Sequence, residues 1–131
     1  MNKNIKNKYI YFLYGIKLLS NIKLDFLSEY YDEAYYDLLN VNIEFLNIKD
    51  EFNGNIDYFI EDNKLILILG NYAQYCFSSD FLTLNITCKD YDYLAATLLN
   101  LPFTLYFIFS NKGLLLHAAS AFLSETLYAF C

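Results

Sequence analysis

The chain has 131 residues, 56% of them hydrophobic and 20% aromatic, with 14 Tyr, 12 Phe and no Trp, a composition that excludes a disordered or linker-like polypeptide and demands a sizeable core. The formal net charge is -6, and the only basic cluster is Lys3, Lys6 and Lys8; a surface of that sign repels phosphate backbones, so nucleic acid is not an expected partner. Cys76, Cys88 and Cys131 are odd in number, lie in apolar surroundings and show no Cys-x-x-Cys spacing, which reads as buried free thiols in a reducing, cytoplasmic setting.

Residues 1–8 read as a solvated basic tail, and no signal peptide is visible because Lys17, Lys23 and Asp25 interrupt the apolar residues that follow. Lys8–Leu19, rich in aromatic and branched residues, reads as one strand with Gly15 as a bend or bulge. Ile22, Leu24 and Phe26 alternate with Lys23 and Asp25, the pattern of a short half-buried extended segment. From Ser28 the spacing of Tyr31, Ala34, Tyr35 and Leu38 predicts a short helix, with Ser28 as its cap and Asp32 and Glu33 in its first turn. Alternation returns over Asn40–Ile48, so a strand is expected there, followed by a loop over Lys49–Asn55.

Residues 56–87 carry the clearest β pattern. Short apolar runs are separated by Glu61-Asp62-Asn63, Gly70-Asn71 and Ser78-Ser79-Asp80, small polar groups suited to tight turns, and an antiparallel meander follows. Beyond Thr87, Asp90 or Asp92 caps a helical run through Tyr93, Leu94, Thr97, Leu98 and Leu101, Pro102 fits the first turn of a second helix, and Gly113 fits its stop. Leu114–Leu123 and Ser124–Cys131 then read as a hairpin. The fold class expected is therefore α+β: a β-rich region over 9–89, then a helical pair and a β-hairpin over 90–131. The uncharged run Tyr93–Asn111 has nearly the length of a membrane span, but Asn100 and Pro102 interrupt it and its flanks are acidic, so buried core helices are expected instead.

Candidate chemistry is sparse. His117 is the only histidine; inside an apolar strand it reads as a hydrogen-bonded core residue, with catalytic base as the weaker reading, since that role needs a positioned carboxylate. The acidic residues Glu29, Asp32, Glu33, Asp37, Asp90 and Asp92 read as a wet helix face rather than a cation site. With one His there is no metal-ligand set. With 4 Gly there is neither a G-x-x-x-x-G-K-[ST] loop nor a G-x-G-x-x-G turn, and no cofactor-binding residue is assigned.

Three stretches in order carry a resemblance. Tyr14–Leu27 (YGIKLLSNIKLDFL), the meander from Ile60 to Ile86, and above all Tyr91–Cys131 with Gly113, Leu116, His117 and Ala118 resemble the N-terminal part of the HPr-kinase-related, phosphoenolpyruvate-carboxykinase-like P-loop kinases of bacterial gene clusters. Asp25 stands where that family commonly has proline. The resemblance implies an ATP- and magnesium-dependent phosphotransferase acting on a serine or small hydroxyl acceptor, with the phosphate loop expected to begin directly after Cys131. On this reading the 131 residues are a front portion, natural or shortened, and are not catalytic alone. Phosphoryl transfer needs a cradle of backbone N–H groups, a lysine and a held metal. An unpaired apolar strand ending at Cys131 would then favour self-association. The alternative reading is a small non-enzymatic interaction or regulatory module.

Overall fold

The computed structural model describes residues 9–27 and 37–110. The lysine tail, the helix expected from Ser28, the Gly113 stop and the hairpin bearing His117 lie outside the described residues. Seven strands, β1 (Tyr9–Leu13), β2 (Ile16–Ser20), β3 (Asp37–Phe45), β4 (Ile56–Glu61), β5 (Lys64–Leu69), β6 (Ala73–Phe77) and β7 (Thr83–Cys88), precede two helices, α1 (Tyr91–Thr97) and α2 (Leu101–Ser110). All seven strands form one sheet in the order β1-β2-β3-β7-β6-β5-β4, and the class is α+β.

The meander is present as β4–β7, antiparallel throughout. Its turns use the separators read from the sequence. Asp62 and Asn63 both have positive φ, 55° and 65°, the requirement of a two-residue type I′ turn, which twists with the strands it joins. The Ser78 hydroxyl donates to Asp80 Oδ1 at 2.7 Å and accepts from the Thr83 N–H at 3.1 Å, closing the β6–β7 turn from its own side chains.

The sheet as a whole is not antiparallel. β3 lies between β2 and β7 and is parallel to both. After Phe45 the chain crosses to the far edge of the sheet, and the three reversals between β4 and β7 return it running the same way as β3. Three local expectations are also corrected. Lys8–Leu19 is a hairpin rather than one bent strand, because Tyr14 (φ 52°) and Gly15 (φ 78°) are both left-handed and together reverse the chain, pairing Leu13 with Ile16. Leu38 belongs to β3, where it pairs with Lys17, and not to a helix. Ile22–Phe26 forms turns rather than a strand: the Leu24 N–H donates to Tyr11 Oη and the Asp25 N–H to Tyr91 Oη, each at 2.7 Å, so tyrosine hydroxyls take the place of a neighbouring strand. The alternation nevertheless tracks burial, with Leu24 inside and Lys23 and Asp25 outside.

Both helices pack on one face of the sheet. Ile16, Leu18, Leu39, Val41, Ile43, Leu65, Leu67, Tyr75, Phe77, Leu84 and Ile86 meet Leu94, Leu98, Phe103, Tyr106 and Phe107 in one buried cluster. Asp90 is the N-cap of α1, its Oδ1 accepting the Tyr93 N–H at 2.9 Å. Pro102 sits in the first turn of α2 as expected. The axes of the two helices differ by 51°. Asn100 bridges the break by donating its side-chain amide to the Ala96 carbonyl at 2.7 Å. Among the described residues no single helix is long and apolar enough to cross a membrane.

Candidate functional site

Strands with parallel neighbours are ordinarily covered on both faces and read as continuous apolar runs. The trio β2, β3 and β7 departs from this. The face opposite the helices carries Asn40, Asn42 and Glu44 from β3, Asn85 and Thr87 from β7, and Gln74 and Cys76 from β6, of which Asn42, Glu44, Gln74 and Asn85 are exposed. A shallow depression of about 300 Å3 lies there, lined by Asn21, Asn42, Glu44, Gln74, Cys76 and Asn85.

Its geometry is fixed by amides. Asn42 Nδ2 donates to Asn85 Oδ1 at 3.0 Å across the parallel pair. Asn21, just past the end of β2, donates Nδ2 to the Ile43 carbonyl at 3.0 Å and accepts the Ile43 N–H at 2.8 Å; its side chain thus continues the β2–β3 pairing after the β2 backbone has turned away. The resulting surface offers neutral donors and acceptors and one carboxylate. It suits hydrogen bonding to a neutral polar group and not the grip of a phosphate, which calls for cations or converging backbone N–H groups.

The second constellation stands at the C-terminal end of β7, the side of a parallel sheet where ligands are usually held. Lys89 Nζ is 3.0 Å from Asp90 Oδ2 and 5.1 Å from the centroid of the Tyr72 ring, and the Tyr72 and Tyr93 rings meet edge-on at 5.2 Å. The hydrogen bond from the Lys89 ammonium to Asp90 holds that ammonium above its usual range. Asp90 is held below the carboxylate range, by the Tyr93 N–H first and Lys89 second. Burial raises the Cys88 thiol, which keeps it protonated. Lys89 and Asp90 are thus committed to one another and to the start of α1.

His117, Cys131, Glu29, Asp32 and Glu33 lie outside the described residues. Asp37 opens β3, Asp90 caps α1 and Asp92 is exposed in its first turn, so the structure does not gather the described acids into one site. Among the described residues no group of three His, Cys, Asp or Glu is placed to hold a metal ion. The amide-lined face went unread in the sequence, although Asn40, Asn42 and Asn85 at alternate positions of two apolar strands are its signature. Comparison with known proteins finds no matching family model, no matching curated protein and no matching solved structure.

Proposed function

We propose that this chain is the N-terminal, non-catalytic portion of an HPr-kinase-related, ATP-dependent phosphotransferase, in which residues 9–110 form the platform and the nucleotide-handling residues are encoded further on. The observation that carries this reading is the order of elements: an antiparallel meander, an Asp90-capped helix and a Pro102-opened helix lead, in that sequence, to Gly113, Leu116, His117 and Ala118. The parallel trio adds support, because β3 and β7 end in register at Phe45 and Cys88, with β2 ending four residues earlier opposite Val41, and a parallel sheet has the polarity that α/β kinases use to place a ligand. Lys89, directly after β7, is occupied by Asp90 and Tyr72, consistent with phosphate being held by residues elsewhere.

The test is to express the chain together with the polypeptide encoded immediately downstream and to assay transfer of the γ-phosphate of Mg·ATP to serine-containing peptides and small hydroxyl compounds. The extended chain is expected to transfer phosphate and the 131-residue chain to transfer none. Transfer by the 131-residue chain, or an extension that neither binds Mg·ATP nor contains a lysine-bearing glycine-rich loop, overturns the reading.

A further inference from the structure

We propose that β4 is a self-association edge, pairing antiparallel with β4 of a second copy about a two-fold axis that passes through Tyr58. Among the described residues β4 ends the sheet and pairs with β5 alone, and five of its six residues are exposed. Natural edge strands usually carry charges, proline or a bulge that discourages pairing; Ile56–Glu61 has no proline, bulge or lysine, and its two carboxylates, Asp57 and Glu61, restrict the registers open to it. The opposite edge is different in kind: in β1, Tyr11 is buried and Tyr9, Phe12 and Leu13 are half-buried.

The side chains of β4 divide cleanly by face. Ile56, Tyr58 and Ile60 pair with Leu69, Leu67 and Leu65 and so point to the helix side, yet they remain 58%, 50% and 54% exposed. Asp57 and Glu61 point to the other side with Ile68 and Lys64. At the helix side the row is continued by α2, where Phe109 meets the Tyr58 ring with centroids 6.3 Å apart and is itself exposed, as is Ile108. The apolar row therefore lies exposed along a strand whose outer backbone groups have no neighbouring strand among the described residues.

Charge selects the partner and its register. A two-fold pairing that keeps both helix layers on one side must centre on a single residue, since directly paired residues share a face. Centred on Asp57 it sets Asp57 against itself, and centred on Phe59 it sets Asp57 against Glu61 of the other copy; like charges directly opposite are destabilising. Centred on Tyr58 it sets Ile56 against Ile60 of the other copy, Tyr58 against itself and Asp57 against Phe59, which keeps the apolar row continuous and separates the carboxylates. Of the two registers that pair five residues of β4, centred on Tyr58 or on Phe59, only the one centred on Tyr58 keeps the carboxylates apart. Pairing of one six-residue edge gives an interface below the standard size of specific complexes, so the association is expected to be weak and concentration-dependent. This inference is independent of the kinase reading.

Sedimentation velocity of the full chain over a concentration series, with Ile60→Lys alongside, tests it. Ile60 is exposed, so the variant is expected to keep the circular dichroism spectrum and unfolding midpoint of the parent. The parent is expected to shift from monomer to dimer with concentration, and Ile60→Lys to weaken that shift at least ten-fold. In a Cys131→Ser background, Tyr58→Cys is expected to form a symmetric disulfide under mild oxidation and Glu61→Cys to form none, because only residues near the axis approach within disulfide reach. Any of three results overturns the proposal: a dimer that Ile60→Lys leaves unchanged, equal cross-linking at both positions, or a parent that stays monomeric at every concentration. In the last case, protection of the β4 amides from hydrogen exchange would assign the edge to another segment of the same chain.

Discussion

The hydroxyl of Thr97 joins α1 to the sheet through Tyr75: the two side-chain oxygens are 2.8 Å apart, and Thr97 Oγ1 also lies 2.8 Å from the Tyr93 carbonyl. Thr97 has one proton, and the carbonyl can only accept. The Thr97 hydroxyl therefore donates to Tyr93, and Tyr75 donates to Thr97. A buried phenol on β6 is in this way satisfied by a helix that would otherwise touch the sheet through apolar atoms alone.

Tyr106 offers the contrast, because its hydroxyl is buried in α2 without a hydrogen-bond partner. An unsatisfied buried hydroxyl carries its desolvation cost with no return. Tyr106→Phe is therefore expected to raise stability by about 1 kcal/mol, and Tyr75→Phe, which breaks a made bond, to lower it by about 1 kcal/mol. Urea denaturation of the two variants checks both signs; equal effects of the same sign would refute this assignment of roles.

Alkaline pH should expose the same groups. The Tyr106 phenol is pushed up to about 12, by burial first and by the Asp37 carboxylate second. Burial also raises Tyr75, partly opposed by its bond to Thr97. In the unfolded chain both titrate near 10. Above that value the unfolded chain sheds protons that the native chain retains, so stability is complete below about pH 10 and falls as pH rises from there toward 12. Unfolding free energy measured across this range should fall less steeply for Tyr106→Phe than for the parent.

Gly70 answers to sterics as well as to backbone. Its φ is +57°, and a Cβ there would stand 2.5 Å from both Asn53 Oδ1 and a carbon of the Phe52 ring. Gly70→Ala is expected to cost about 1–2 kcal/mol, the left-handed penalty plus displacement of the exposed Phe52 and Asn53 side chains. Gly54→Ala, at φ +82° with nothing within 4 Å of the added Cβ, should cost only about 1 kcal/mol. Thermal unfolding of the pair ranks them, and an equal loss at both sites would contradict the packing of the Phe52 loop against Gly70.

Asp90 carries the start of α1. Asp90→Ala removes both the acceptor for the Tyr93 N–H and the partner of Lys89, and is expected to lower Tm by a few degrees, whereas Asp90→Asn retains the cap and most of the stability. The carboxyl is held below its ordinary value, so its contribution is present above pH 4 and disappears as pH falls through the lower, native value. The difference in Tm between parent and Asp90→Ala should shrink on acidification below pH 4.

Local chemistry was legible in the sequence wherever a short segment decides its own conformation. Asp62-Asn63 and Ser78–Asp80 announce turns, Asp90 a cap and Pro102 a helix start, and the alternation of Leu39, Val41 and Ile43 marks the buried face of β3. The place of β3 between β2 and β7 was not legible, because alternation says which face is buried and not which strand lies alongside. The Tyr14-Gly15 turn was hidden by its first residue, since tyrosine is an unusual occupant of a left-handed position. The helical spacing that ends at Leu38 competed with strand pairing, and at Asp37 and Leu38 the pairing with Ile16 and Lys17 prevails. Of the candidate site, single Asn residues in apolar strands were visible, but their convergence needed the parallel register of β3 and β7.

The kinase proposal stands or falls on the nucleotide sequence immediately following codon 131, read in all three frames. A frame that encodes a glycine-rich loop carrying Lys-Ser or Lys-Thr shortly after codon 131 is the expected result. Downstream sequence that encodes no such loop in any frame would contradict it.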